Sequence, residues 1–183
     1  NPFSGTAPSM SIAENLALAA RRGRSRGFGP ALGARWMREL HDRVRVLNMG
    51  LEHRLANAIG TLSGGERQAL TLLMATWLRP EILLLDEHTA ALDPKSGDKV
   101  IRVSEEIIAR DKLTALMVTH SMSQAATLGD RLIMMHRGRI IYDARGAEKH
   151  RLRPADLLAR FEELRRGEQL DETAADMLKR AYV

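Results

Sequence analysis

The chain has 183 residues, of which 44% are hydrophobic, enough for one domain or one domain with an appended lobe. It contains no cysteine, which excludes disulfides and cysteine-based metal sites, and no apolar run reaches the roughly 18–20 residues that a membrane span needs. The net charge of +5 allows an anionic partner but does not identify one.

The first third of the chain is predicted to be mainly helical. Residues 1–9, with two prolines and a glycine, are typical of a loop, and helices are expected over 10–20 and 31–48. The basic stretch 21–30 is interpreted as a solvated loop rather than a nucleic-acid patch, because only Phe28 supplies an aromatic ring. The residues expected on the buried faces are Ile12, Leu16, Ala19 or Ala20, Leu32, Trp36, Leu40, Val44 and Leu47.

The stretch LSGGERQ, residues 62–68, is predicted to begin a long helix. Ser63 can act as the N-cap and Glu66 can complete a capping box. Gly64 and Gly65 are poor choices for helix stability, since each costs about 1 kcal/mol against alanine in a helix interior. Glycine also lets backbone N–H groups approach a phosphate at a helix N-terminus. Taken alone, the stretch fits both a structural cap and a phosphate site.

The remainder alternates between short apolar runs and helical patterns, which predicts an α/β domain. The runs at 81–86 and 113–120 are continuous, which indicates strands buried on both faces of a parallel sheet. The further predicted strands are 131–136 and, after a turn at Arg137-Gly138, 139–143. The predicted helices are 96–110, with Val100, Val103, Ile107 and Ile108 inward, 121–128, one from Pro154 carrying Leu157, Leu158, Phe161 and Leu164, and one starting at Asp171.

Two of these strands end on polar residues, at the carboxyl ends where ligands of open parallel sheets collect. Asp86 can hold Mg²⁺ through its waters, and Glu87, pointing the opposite way by strand alternation, can orient or deprotonate a water. His120 could contact a phosphoryl group that is being transferred. Taken singly, each residue also fits a structural role, as a strand cap, a turn acid or a satisfied histidine.

Read in order, the motifs LSGGERQ, EILLLDE, ALDP (residues 91–94) and MVTH resemble the back half of an ABC-type ATPase domain. The resemblance covers roughly residues 1–145. It implies a P-loop NTPase-like parallel sheet, incomplete in this chain. The implied divisions are an inserted helical subdomain over 1–60, an α/β ATPase core over 61–145, and a C-terminal helical appendage over 146–183.

The resemblance also implies ATP and Mg²⁺ as cofactors and assigns roles by motif. Asp86 is implied to bind magnesium, Glu87 to be the catalytic base, and His120 to be the switch histidine that senses the γ-phosphate. The resemblance also implies that further residues contact ATP or the opposite subunit. They are Asp93 of the D-loop and the signature-motif residues Ser63, Gly64, Gly65, Glu66 and Gln68.

The chain departs from the family pattern in three places. Glu66 replaces the commoner glutamine, and His88-Thr89-Ala90 replaces Pro-Thr-Ser; His88 is expected to be a turn residue without a catalytic role. The Walker A pattern GxxxxGK(S/T) and the aromatic residue that stacks on adenine do not occur. We therefore expect the back portion of a longer ATPase, which exposes a sheet edge and is not competent alone.

The function implied is the ATP-hydrolysing subunit of a membrane transporter. DEHTAALDP is associated with importers of small organic, including amino-acid-like, substrates. The implied partners are a second ATPase subunit, transmembrane permease subunits and a substrate-binding protein, on the cytoplasmic face of the cell membrane and without nucleic acid. The alternatives are a soluble ABC ATPase acting on nucleic acid or ribosomes, and a non-hydrolysing partner, which the intact Glu87 and His120 disfavour.

Overall fold

The structure is a computed structural model that describes residues 5–23 and 33–166. It forms two compact units, Asn1–Val118 and Thr119–Val183, which are described separately below. Helices and a parallel strand pair confirm the α/β class. The division of the sequence at residues 60 and 145 stays a prediction. Among the described residues, no helix has both the length and the apolar character needed to cross a membrane.

Helix α1, Ile12–Ala20, begins two residues later than its apolar pattern predicts because Ser11 is its N-cap. The Ser11 hydroxyl accepts a hydrogen bond from the Glu14 N–H, and the Glu14 carboxylate accepts one from the Ser11 N–H at 2.7 Å. This capping box satisfies donors that have no partner inside the helix. The predicted inward face is buried, with Ile12 and Leu16 at 0% and 1% exposure.

Helix α2, Ala34–Arg45, is shorter than the predicted 31–48. Leu40 and Val44 are fully buried as expected, and Leu47 is buried just beyond the helix end. Two short 3₁₀ turns, Leu51–Arg54 and Ile59–Thr61, lead to helix α3, Gly64–Thr76. Leu32, most of the basic stretch 21–30 and the second tail helix expected from Asp171 lie outside the described residues.

A parallel pair of strands completes the first unit. Strands β1, Ile82–Asp86, and β2, Thr114–Val118, pair in register from Ile82 opposite Thr114 to Asp86 opposite Val118. Helix α4, Pro94–Asp111, connects them, as a parallel crossover requires. Its apolar side chains Val100, Val103 and Ile107 are buried, which confirms the predicted inward face.

The prediction that β1 and β2 are buried on both faces is wrong. Leu83 and Leu85 are buried in the core with α3 and α4, whereas Leu84 is 66% exposed and Leu116, directly opposite, is 53% exposed. The continuous apolar run indicates two covered faces only when elements pack on both sides of the sheet. In the described part of this unit, helices cover one face of a two-stranded sheet.

The second unit is built on an antiparallel hairpin. Strands β3, Arg131–His136, and β4, Arg139–Arg145, are joined by Arg137-Gly138, which confirms the predicted turn. Both turn residues have positive φ, 45° and 75°, the combination that matches the right-handed twist of a two-residue hairpin. The short helices α5, Met122–Thr127, and α6, Gly146–Arg151, flank the hairpin in sequence.

The first tail helix, residues 154–166, packs on this hairpin. Leu157 is fully buried, and the Phe161 ring lies edge-on to His136 with 6.3 Å between centroids. The Arg160 guanidinium lies 4.0 Å from the centre of the Tyr142 ring. The apolar face predicted for this helix is therefore confirmed at Leu157, whereas Leu158 is 47% exposed.

One lysine of the second unit is buried, with 1% of its surface exposed. Lys149 of α6 donates from Nζ to the Ala126 carbonyl of α5 at 2.7 Å. Burial lowers the pKa of its amine, while the nearby Asp130 carboxylate opposes that shift. The bond joins α6 to the end of the helix that begins directly after His120 and Ser121.

Gly60, in the segment before α3, packs closely against Pro8. Its N–H donates to the Pro8 carbonyl oxygen at 2.9 Å, and an added Cβ would lie 2.8 Å from that same oxygen. We expect Gly60→Ala to destabilise the fold by about 1–3 kcal/mol through this backbone clash, measured by urea unfolding.

Gly97→Ala is the matched control, since the nearest atom to its Cβ would be Thr89 Cβ at an ordinary 3.8 Å. It should be neutral, or stabilising by up to about 1 kcal/mol, because alanine is the better helix former. Equal losses for both variants would show that the Pro8 contact does not matter.

Candidate functional site

The N-terminus of α3 has the capping box that the sequence predicts. The Glu66 N–H donates to the Ser63 hydroxyl at 3.3 Å, and the Ser63 N–H donates to Glu66 Oε2 at 2.9 Å. Ser63 and Gly64 are exposed. The first N–H groups of this 13-residue helix have no carbonyl partner within it, so the exposed end is suited to an anion.

The second carboxylate oxygen of Glu66 has a different partner. Arg54 Nη1 donates to Glu66 Oε1 at 2.9 Å, which ties the preceding 3₁₀ turn to the start of α3. Glutamine could complete the cap but could not form this ion pair, so the structure gives a reason for glutamate here. The two side chains are 36% and 23% exposed, and the pair is worth at most about 1 kcal/mol. No sequence signal links Arg54 to Glu66.

The two glycines of α3 lie against residues that follow β1 in the sequence. A Cβ on Gly64 would lie 3.0 Å from Leu92 Cδ2, and one on Gly65 would lie 3.0 Å from Ser96 Cβ. The missing side chains therefore let the start of α3 approach the start of α4. This intramolecular reason for the glycines is additional to the phosphate contact considered from the sequence.

Asp86 is the last residue of β1, and the chain turns away from the strand at Glu87. The Glu87 N–H still donates to the Val118 carbonyl at 3.0 Å, but its φ is 42°, in the left-handed region. The alternation of strand side chains therefore does not apply to Glu87, and the prediction that it sets the direction of the Glu87 side chain is wrong. The Ala90 N–H closes a turn by donating to the Glu87 carbonyl at 3.0 Å.

A cavity of about 670 Å³ lies beside this turn. Three of the predicted site residues, Gln68, Asp86 and Glu87, line it together. Further lining residues come from α3, from β1 and from the loop that leads to α4; among them are Thr71, Leu83, His88 and Leu92. The first unit thus brings one residue of the signature motif to the same cavity as both strand-end carboxylates.

Asp93 has a defined structural role at the start of α4. It is the N-cap, and its Oδ1 accepts the Ser96 N–H at 3.0 Å, ahead of Pro94 at the first helical position. Hydrogen bonds from Ser96 lower the pKa of the Asp93 carboxyl. A contact of Asp93 with a second subunit stays a prediction.

His88 lies in the turn after Glu87, as expected, and its ring points to α4. Its Nε2 lies 3.2 Å from the Ser104 hydroxyl, and that hydroxyl donates to the Val100 carbonyl at 2.8 Å. Burial lowers the pKa of the imidazole, which favours the neutral ring. The sequence marks His88 as a departure from the family pattern but gives no sign of Ser104.

His120 belongs to the second unit, where it is exposed and directly precedes the N-cap of α5. The Ser121 N–H donates to Thr119 Oγ1 at 3.1 Å, and Thr119 Oγ1 donates to Gln124 Oε1 at 2.7 Å. The Ser121 hydroxyl in turn accepts the Gln124 N–H at 3.3 Å. The backbone on both sides of His120 is therefore held by side-chain hydrogen bonds.

The residues present fit a magnesium nucleotide. In the described part of the chain, no three His, Asp or Glu side chains cluster as a metal site, so a divalent ion at Asp86 would need waters and phosphate oxygens as its other ligands. Such a sparse set of oxygen ligands is typical of Mg²⁺ at nucleotides. The exposed end of α3 supplies N–H donors suited to a phosphate.

Comparison with known proteins agrees with this chemistry. A family model described as ABC transporter matches residues 3–90. The chain is 40% identical to the tyrosine transport ATP-binding protein of Clostridioides difficile (strain R20291), over 88% of this chain and 64% of that protein. It is 36% identical to the phosphate import ATP-binding protein PstB of Aeropyrum pernix, over 77% of this chain and 53% of the relative.

A solved structure shares the fold. It is described as the dimeric structure of a post-hydrolysis state of the ATP-binding cassette MJ0796 bound to ADP and Pi. The TM-score is 0.61 at 25% identity, and the match covers 78% of this chain and 60% of that one. The chain thus spans less than two thirds of the length of each of these three proteins.

The contact between Gly65 and Ser96 can be tested by a double-mutant cycle. We expect Gly65→Ala to destabilise the protein by about 1–3 kcal/mol, because the new methyl group overlaps Ser96. Ser96→Gly removes the overlapping atoms, so the same alanine should cost less in that background, as read from urea unfolding. Strictly additive losses would contradict the contact.

Proposed function

Because the chain belongs to the family of ABC transporter ATP-binding proteins, we propose that it is part of an ATPase that powers import of a small organic solute. The observation that carries the proposal is the cavity that Gln68 of the signature motif lines together with Asp86 and Glu87. Asp86 is suited to magnesium and Glu87 to activating water, while the exposed N-terminal end of α3, outside this cavity, is suited to a phosphate held by a second subunit.

In this proposal the chemistry is hydrolysis of the γ-phosphate of ATP, with Mg²⁺ neutralising charge on the phosphates. Asp86 binds the ion through its waters. Glu87 orients the attacking water and accepts its proton, a role that needs an ionised carboxylate next to the phosphoryl group. His120 contacts the γ-phosphate as the switch residue.

The remaining site residues act across a dimer of ATPase subunits. Ser63, Gly64 and Gly65 present N–H and hydroxyl donors to the ATP of the second subunit, with Glu66 and Gln68 in the same turn. Asp93 lies at the loop that meets that subunit. Exposure of Ser63, Gly64 and Asp93, and the dimeric state described for the solved relative, support this arrangement.

We further propose that the dimer binds transmembrane permease subunits at the cytoplasmic face of the cell membrane and works with a substrate-binding protein. An amino-acid-like substrate is favoured because the relative at 40% identity is described as a tyrosine transport protein. Relatives described as phosphate importers have 36% to 39% identity and match a smaller share of this chain.

Glu87→Gln in the full-length protein should lower the rate of ATP hydrolysis by about a hundredfold or more, because glutamine cannot accept the proton. ATP should still bind, so the variant should accumulate as an ATP-bound dimer, measured by size-exclusion chromatography with ATP.

Glu81→Gln is the matched control, since Glu81 is exposed, precedes β1 and does not line the cavity. It should hydrolyse ATP at the normal rate. Normal hydrolysis by Glu87→Gln would show that another group accepts the proton.

The transport assignment predicts that the full-length protein purifies with membranes and that cells carrying Glu87→Gln lose tyrosine uptake. Uptake of radiolabelled tyrosine and of phosphate would be compared in the same cells, with phosphate uptake expected to be unchanged. Recovery with ribosomes instead of membranes would support the alternative of a soluble ABC ATPase.

A further inference from the structure

The hydrogen bond between His88 and Ser104 has a defined direction. Ser104 is fully buried in α4, and its one hydroxyl proton is donated to the Val100 carbonyl at 2.8 Å. The Ser104 oxygen must therefore accept from His88, whose Nε2 lies 3.2 Å away. The histidine ring is thus a donor that fastens its own turn to the interior face of α4.

The residue next to His88 is in a conformation that needs such support. Glu87 has a φ of 42°, a left-handed conformation that a side chain with a Cβ rarely adopts. Conformations of this kind persist only where surrounding contacts enforce them. Two backbone hydrogen bonds, Glu87 N–H to Val118 and Ala90 N–H to the Glu87 carbonyl, hold the turn at its base.

Neither of these two backbone bonds involves His88 itself. A proline at position 88 would favour an extended conformation at residue 87, whereas histidine allows the left-handed one. A proline ring would restrain the backbone at position 88 directly. Histidine has no such ring, so a contact of its side chain must restrain the turn. The bond to Ser104 is one side-chain contact that does so.

We propose that His88 is a positioning residue, which through its hydrogen bond to Ser104 holds the turn of residues 87–90 on α4 and so fixes the Glu87 carboxylate at the cavity. This inference rests on the proposed role of Glu87 as the base. His88 itself takes no proton from the attacking water; its effect is on where Glu87 lies.

Ser104→Ala and His88→Leu each remove one partner of this hydrogen bond. In the full-length protein we expect either variant to lower kcat for ATP hydrolysis about fivefold, the effect of one neutral hydrogen bond. KM for ATP should change less than about twofold, because the nucleotide contacts are untouched. His88→Gln, whose side-chain amide can donate to Ser104, should retain most of kcat.

Thr76→Val is the matched control for loss of a buried hydroxyl. Thr76 is buried in α3, and like Ser104 it donates to the carbonyl four residues earlier, Leu72, at 2.9 Å, but it has no partner in the turn. Its kcat and KM should equal those of the unmodified protein.

Testing Ser104→Ala in the Glu87→Gln variant distinguishes a loss of positioning from a general destabilisation of the fold. When Glu87→Gln has removed the base, Ser104→Ala should cause no further loss of the residual rate, because there is no base left to misplace. Equal losses in both backgrounds, or an unchanged kcat for Ser104→Ala and His88→Leu, would overturn the inference.

The positioning role of His88 and the base role of Glu87 can be refuted separately. If Glu87→Gln abolishes hydrolysis while the His88 and Ser104 variants behave normally, only the positioning role is lost. If Glu87→Gln hydrolyses ATP normally, the base assignment is wrong and the inference falls with it.

Discussion

The close approach of two helix starts, α3 and α4, is the contact on which the candidate site depends. Gly65 is buried over Ser96, and only the absence of a side chain allows the separation observed. This contact sets the position of Gln68 relative to the loop that follows β1. The same loop carries Glu87 and Asp93, so glycine at position 65 lets Gln68 line the same cavity as the two strand-end carboxylates.

Hydrogen bonds at helix ends and turns, rather than buried charges, then hold Glu66, Asp93 and the turn that carries Glu87. Glu66 is held by its own cap and by Arg54, Asp93 by the Ser96 N–H, and the turn at Glu87 by backbone bonds and His88. Each bond is worth only about 0.5–1.5 kcal/mol. The carboxylates of Asp86 and Glu87 stay exposed, so they remain accessible to a ligand without the cost of burying a charge.

The sequence predicts those features that are governed by local rules. Periodicity predicts α1, α4 and the tail helix, the capping box at Ser63 follows from spacing, and Arg137-Gly138 is a turn by residue type. Features that depend on partners distant in sequence could not be predicted. Strand burial depends on what covers each face, the direction of Glu87 depends on where β1 ends, and the contacts of Gly65, Glu66 and His88 involve residues with no motif of their own.

In the second unit, the position of the backbone at His120 also depends on residues distant in sequence. Helix α5 has six residues, too few to be stable in isolation, so its position must come from contacts at its two ends. Ser121 and Thr119 hold its start through Gln124, and Lys149 holds its end through the Ala126 carbonyl. Burial of a lysine amine is unfavourable, and the hydrogen bond to Ala126 offsets part of that cost. The backbone at His120 is therefore fixed in part by α6, a helix that starts 26 residues later at Gly146.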